Sequence, residues 1–174
     1  MGLFDKLLKI TKVAYNEATK PESFVKGEEF EEYVRKYIFP SDRYELIHRT
    51  HSYNDNKGDY IESTLYPDFL FRCKDTGKKF YVEAKFRSGD YDEFDNEYSD
   101  IKWTYPKQLK RYQEINKQTP VFLCLGVGGK AKDPERIHII PMKRLKYIEL
   151  YDSFLMDHEF YRKKPVFSGY LWKI

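Results

Sequence analysis

Residues 65–87 read LYPDFLFRCKDTGKKFYVEAKFR, and the fold is decided here. Leu65 to Cys73 and Lys79 to Arg87 are two runs of aromatic and aliphatic residues, the composition of strands. Between them, Lys74-Asp75-Thr76-Gly77-Lys78 is hairpin chemistry. With the tip at Asp75-Thr76, Asp68 faces Glu83 across the ladder; with the tip at Thr76-Gly77, it faces Lys85. Either register brings the three side chains within one or two residues of each other. Strand alternation sorts the second run into two faces: Phe80, Val82, Ala84 and Phe86 on one, Tyr81, Glu83, Lys85 and Arg87 on the other. Two carboxylates and an ammonium therefore meet on one polar face.

Such a cluster suits a hard cation. Mg2+ takes oxygen ligands, commonly one or two carboxylates with waters and phosphates completing the shell. Asp68 and Glu83, with the backbone carbonyl of Ala84, could supply them, and Lys85 is close enough to serve a bound water or hold a phosphate oxygen. Taken alone, an acid and a lysine two apart on a strand more often mark a solvated sheet face with a charge pair.

Outward from the hairpin, the chain has the length of one domain, 174 residues. Residues 3–19 have the spacing of an amphipathic helix, so an N-terminal helix is expected at 1–22 and one domain at 23–174. A second helix runs from Ser23, the expected N-cap, to about Ile38, with Phe30, Tyr33, Val34, Tyr37 and Ile38 as its apolar stripe and Pro40 as its stop. Tyr44 to Arg49 reads as a strand and His51 to Asp59 as a polar loop. Beyond the hairpin come an acidic loop at 88–102, a helix over Tyr105 to Lys117 and a buried strand over Pro120 to Leu125. Gly126 to Pro134 reads as a loop, Arg136 to Ile140 as a strand and Met142 onward as a helix. The class is α/β with a mixed central sheet flanked by helices.

Composition narrows the setting. The apolar fraction is 41%, and 16 Tyr and 13 Phe must build much of the core. No run approaches the roughly 18 apolar residues that span a bilayer. Met1 to Lys20 is too charged for a signal-peptide core. Cys73 and Cys124 are expected as buried thiols without metal-ligand spacing, and the expected location is cytoplasmic. Six of the 28 acids lie between Gly89 and Asp100 with no base among them, leaving 31 bases against 22 acids elsewhere. That basic body suits a polyanion.

Pro67-Asp68, followed by Glu83-Ala84-Lys85, resembles the signature of the PD-(D/E)xK, restriction-endonuclease-like nuclease superfamily. That family carries an acid on the helix before its sheet, in a Gly-x-x-Phe-Glu setting. Gly27-Glu28-Glu29-Phe30-Glu31 is similar and points to Glu31, with Glu28 and Glu32 as neighbouring alternatives. Gln108-Leu109-Lys110-Arg111-Tyr112 resembles the Gln-x-x-x-Tyr pattern of RecB-type exonucleases. The resemblance spans about residues 24 to 141 and implies an αβββαβ core with an extra N-terminal helix. It further implies Mg2+- or Mn2+-dependent phosphodiester hydrolysis, of DNA in preference to RNA. Glu31, Asp68, Glu83 and Lys85 would be catalytic, with Glu31 joining the metal set. Gln108, Tyr112, Lys110 and Arg111 would meet substrate. The length leaves little room for a separate target-recognition domain, so the expectation is a structure-directed or weakly specific nuclease, or a homodimer or subunit that takes its specificity from a partner. The alternative is a catalytically inactive module of this fold that binds nucleic acid or a protein partner.

Overall fold

The computed structural model describes residues 22–50, 65–88 and 100–174. The expected N-terminal helix, except for Glu22, the loop at 51–59 and the body of the acidic loop at 89–99 lie outside them. Helix α1 (Glu22–Tyr33) buries Phe30 and Tyr33. It passes directly into a π-helical turn, Val34–Ile38, which buries Val34 and Ile38. The wider turn closes with the Phe39 N–H donating to the Val34 carbonyl at 2.8 Å. Ser23, expected as the cap, sits within the first turn of α1.

Three strands follow: β1 (Tyr44–Arg49), β2 (Phe69–Cys73) and β3 (Lys79–Arg87). In the β2–β3 hairpin Phe69 faces Val82 and Phe71 faces Phe80, the first of the two registers left open by the sequence. Its turn is closed by the Gly77 N–H on the Cys73 carbonyl and the Cys73 N–H on the Lys78 carbonyl. The expected strand start at Leu65 is too early: Leu65 and Tyr66 are exposed, and pairing begins at Phe69.

After the two-residue strand β4 (Ile101–Lys102), helix α2 (Pro106–Asn116) crosses over to β5 (Val121–Lys130). Strand β5 pairs parallel to β3 and antiparallel to β6 (Asp133–Pro141). A 3-10 turn (Met142–Arg144), β7 (Glu149–Leu150), α3 (Asp152–Met156), β8 (Glu159–Phe160) and α4 (Ser168–Leu171) complete the chain. The main sheet is mixed, in the order β1-β2-β3-β5-β6-β8, while β4 and β7 form a separate ribbon. The expected αβββαβ order is therefore present as α1, β1, β2, β3, α2 and β5.

Both faces of the sheet are covered. Phe80, Val82 and Ala84 of β3 and Phe122 and Cys124 of β5 pack with α1 and the π turn. Leu123, Leu125 and Val127 pack beneath α2 with Trp103, Leu109 and Tyr112. Cys73 and Cys124 are buried free thiols, as expected.

Three further expectations need correction. Residues 126–134 are not a loop, because β5 continues to Lys130 and β6 begins at Asp133. Gly126 is there for packing: a Cβ on it would enter the Phe30 ring. Gly128 and Gly129 take positive φ, +72° and +65°, which allows the tight return. The helix expected from Met142 stops after three residues, since Leu145 leaves helical space at ψ 98°. The chain is instead drawn into the β4–β7 ribbon, where the Tyr147 and Ile148 carbonyls accept the indole and backbone N–H groups of Trp103. Ile101 and Lys102, expected in the acidic loop, form the other half of that ribbon.

Candidate active site

The hairpin register carries Asp68, one residue beyond the last β2–β3 pair, towards Glu83. The Asp68 N–H donates to Glu83 Oε2 at 3.3 Å, and the Ala84 N–H donates to Asp68 Oδ2 at 2.8 Å. In an extended strand the N–H and C=O of one residue point to the same edge. The Ala84 carbonyl thus shares the edge that Asp68 occupies.

The face bearing Glu83 is not a solvated one. Helix α2 covers it, and Glu83 is 1% exposed. A buried carboxylate needs donors, and this one has four. Lys85 Nζ lies 2.5 Å from Oε1, and Gln108 Nε2 donates to the same oxygen at 3.3 Å. The Tyr112 hydroxyl donates to Oε2 at 2.8 Å, beside the Asp68 N–H. Gln108 and Tyr112, one helical turn apart, also bond each other, with Nε2 donating to the phenol oxygen at 2.8 Å. Behind them the Thr104 hydroxyl donates to Gln108 Oε1 at 2.5 Å.

Glu31 comes from α1. Its Oε2 accepts Arg49 Nη2 at 2.8 Å and Nε at 3.2 Å, so the guanidinium grips it from the end of β1. Glu31, Asp68, Ala84, Lys85, Thr104 and Gln108 line one open cavity of about 590 Å3, together with Lys26, Arg87, Trp103 and Tyr105. Arg87 braces its wall by donating to the Lys102 and Trp103 carbonyls.

The electrostatics follow from burial of like charges. Burial, followed by the Glu83 charge, pushes the Asp68 carboxyl well above the usual range, against the pull of Lys85 and the Ala84 N–H. Burial also raises the Glu31 carboxyl, opposed chiefly by Arg49. For Lys85, burial acts to depress the ammonium, but the Glu83 and Asp68 carboxylates outweigh it and raise it. Burial, then Glu83, raises the Tyr112 phenol.

The structure brings together Glu31, Asp68, Glu83, Lys85, Gln108 and Tyr112. It does not bring Lys110 or Arg111 to the cavity. At about 100° per residue Lys110 falls on the side of α2 opposite the stripe that Gln108 shares with Tyr112, and Arg111 falls on its flank. Lys110 is exposed, and the Arg111 guanidinium lies 5.6 Å from the centre of the Tyr112 ring. Glu32 is exposed and pairs with Arg35, and neither it nor Glu28 lines the cavity. Thr104 and Arg49 were not singled out from the sequence. Thr104 has a local signal, since it stands four residues before Gln108; Arg49 has none, because its partner is 18 residues away on another element.

No group of three His, Cys, Asp or Glu residues able to hold a metal by themselves occurs among the described residues. The donor set is smaller: Asp68 and the Ala84 carbonyl at the cavity, with the Glu83 carboxylate buried beside them. That fits Mg2+ or Mn2+, which leave several positions to water and phosphate, better than a metal that needs an all-protein cage.

Compared with known proteins, the chain is similar to the Holliday junction resolvase Hjc of the archaeal hyperthermophile Archaeoglobus fulgidus, over 76% of this chain and 89% of that one, with 11% identity and a TM-score of 0.49. No family model matches the chain, and no curated protein matches it. No helix among the described residues is long and apolar enough to cross a membrane.

Proposed function

We propose that this chain is a Mg2+- or Mn2+-dependent nuclease that hydrolyses phosphodiester bonds, with DNA as the preferred substrate. One observation carries the reading: a fully buried Glu83, bonded by Lys85, Gln108, Tyr112 and the Asp68 N–H, beside the wall of a solvent-open cavity. Four donors converging on one buried carboxylate is a costly arrangement that a plain structural core does not need.

Asp68, Glu83 and the Ala84 carbonyl would hold the cation. When bound, it would make a water more acidic and offset charge building on the phosphate oxygens. Glu31, which lines the same cavity, would help hold the cation and orient water there. Lys85, an ammonium beside Glu83, donates to water or to a phosphate oxygen. Gln108 and Tyr112 hold Glu83 in place. The basic balance of the chain outside residues 89–100 favours a polyanionic substrate.

A second reading has its own support. Glu83 already accepts four donors, and Glu31 accepts two from Arg49, so the carboxylates are satisfied from within. That suits a catalytically inactive module which binds nucleic acid or a protein partner. Incubation with linear, circular and single-stranded substrates separates the two readings, using Mn2+ or EDTA and the Lys85→Ala variant. Cleavage that requires metal and Lys85 supports the enzyme. Cleavage surviving EDTA or the substitution sinks the mechanism, and binding without cleavage selects the module.

A further inference from the structure

A second cleft lies behind the β4–β7 ribbon. The 3-10 turn and the residue after it bury Met142 and Leu145 in the core beneath α2. In so tight a turn the intervening side chains must point outward, and Lys143, Arg144 and Lys146 are all exposed. Beside them Tyr147 is 71% exposed and Tyr151 55%. With Phe154 these residues line a cleft of about 500 Å3, floored by the buried Leu150. None of the three cations forms an ion pair with a described residue, and Glu149 is the single carboxylate of the lining.

The cleft adjoins the candidate active site through one residue. Trp103 lines the active-site cavity, and its backbone carbonyl accepts Arg87 Nη2 at 2.9 Å. Its indole N–H donates to the Tyr147 carbonyl at 3.0 Å, and its backbone N–H donates to the Ile148 carbonyl at 3.0 Å. A fully buried tryptophan at the wall of the carboxylate cavity is therefore bonded directly to the segment that carries Tyr147 at the rim of the basic cleft.

We propose that this cleft is a second nucleic-acid subsite, taking an unpaired nucleotide of a strand whose scissile phosphate lies in the Asp68–Glu83 cavity. Unpartnered cations supply phosphate contacts, and exposed tyrosyl faces stack with any base. A paired base offers no free face for stacking, so the occupant is single-stranded or locally unpaired. This inference rests on the nuclease reading for the identity of the strand.

The test uses the full chain with a fluorescein-labelled oligothymidylate in EDTA, read by anisotropy across a salt series, with the matching duplex in parallel. The variants are a Tyr147→Ala/Tyr151→Ala double and a Lys143→Gln/Arg144→Gln/Lys146→Gln triple. All five side chains are exposed, and circular dichroism checks that each variant folds. The tyrosine double is expected to bind the single strand about 10- to 100-fold more weakly, with a smaller loss for the duplex. The basic triple is expected to flatten the log-affinity against log-salt slope by about 2. Unchanged affinity and slope in both variants, or a parent that binds no oligonucleotide, overturns the subsite. So does a dimer lost in the variants while strand binding is kept, which assigns the cleft to a second copy. If the parent cleaves with metal but the variants bind normally, the subsite falls and the nuclease reading stands. If the variants lose binding and the parent never cleaves, the subsite stands and the nuclease reading falls.

Discussion

The Thr104 hydroxyl donates to Gln108 Oε1 at 2.5 Å, and this bond decides which end of the Gln108 amide faces Glu83. With Oε1 engaged, Nε2 is turned towards both Glu83 Oε1 and the Tyr112 hydroxyl. Thr104 is 3% exposed, so water does not replace the bond. Thr104→Val keeps the shape and removes the donor, freeing the amide to flip and set an oxygen against the carboxylate. Supporting bonds of this kind are worth about 10- to 100-fold in metal affinity. Thr104→Val is expected to weaken Mn2+ binding by about 10-fold in calorimetry, with Thr104→Ser restoring it. Equal affinity in all three proteins removes Thr104 from the site.

Asp68, Glu83 and Glu31 crowd like charges around one cavity, with Lys85 and Arg49 as the compensating cations. Asp68→Asn removes a carboxyl whose charged form burial and Glu83 disfavour, and keeps an oxygen to accept the Ala84 N–H. The metal-free variant is expected to be more stable than the parent by about 1 kcal/mol, the usual sense of a trade between stability and function. The parent gains stability from saturating Mn2+, about 2.7 kcal/mol at a hundredfold excess over Kd, and the variant is expected to gain none. Thermal melts with and without Mn2+ check both halves. A variant that melts lower than the parent without metal contradicts the charge argument.

Gly126 is where β5 passes under Phe30 of α1, and a Cβ there would enter the ring. Gly126→Ala is expected to cost about 1–3 kcal/mol through overpacking, measured by urea unfolding. In a Phe30→Leu background the cost should shrink, giving a coupling term in the double-mutant cycle. Additive losses would place the strain elsewhere.

That glycine also shows where sequence reading ran out. The hairpin was legible because strand periodicity and a short turn leave two registers, both of which join Asp68 to Glu83 or Lys85. Helix α2 was legible from Pro106 at its start and the spacing of Gln108 and Tyr112. Gly126 looks like a loop residue in one dimension, since the reason for it, the Phe30 ring, lies 96 positions earlier in the chain. The burial of Trp103, just past the acidic loop, was hidden for the same reason: its indole N–H partner is 44 residues away. Burial of Glu83 was not legible either. Alternation places it on a face, but only the packing of α2 decides that the face is closed.

His138 on β6 provides a pH test remote from the site. Its ring is fully buried, with Nδ1 2.8 Å from the Leu155 carbonyl and Nε2 without a partner among the described residues. Burial pushes the imidazole down from 6.5 to about 4, with Arg136 adding to it; the Leu155 carbonyl, Glu159 and Asp152 act the other way without prevailing. The folded state therefore binds the proton less readily than the unfolded chain. The resulting stability is fully present above pH 6.5 and is lost as pH falls towards about 4. The expected loss is about 2 kcal/mol by about pH 5 and about 3 kcal/mol by about pH 4. Protonation would place a second N–H at Nε2, where no acceptor waits. His138→Gln keeps a donor for Leu155 and cannot titrate, so its unfolding free energy should fall less steeply over this range. Denaturant titrations of both proteins at closely spaced pH values measure the difference, and parallel acid limbs would show that other groups carry the dependence.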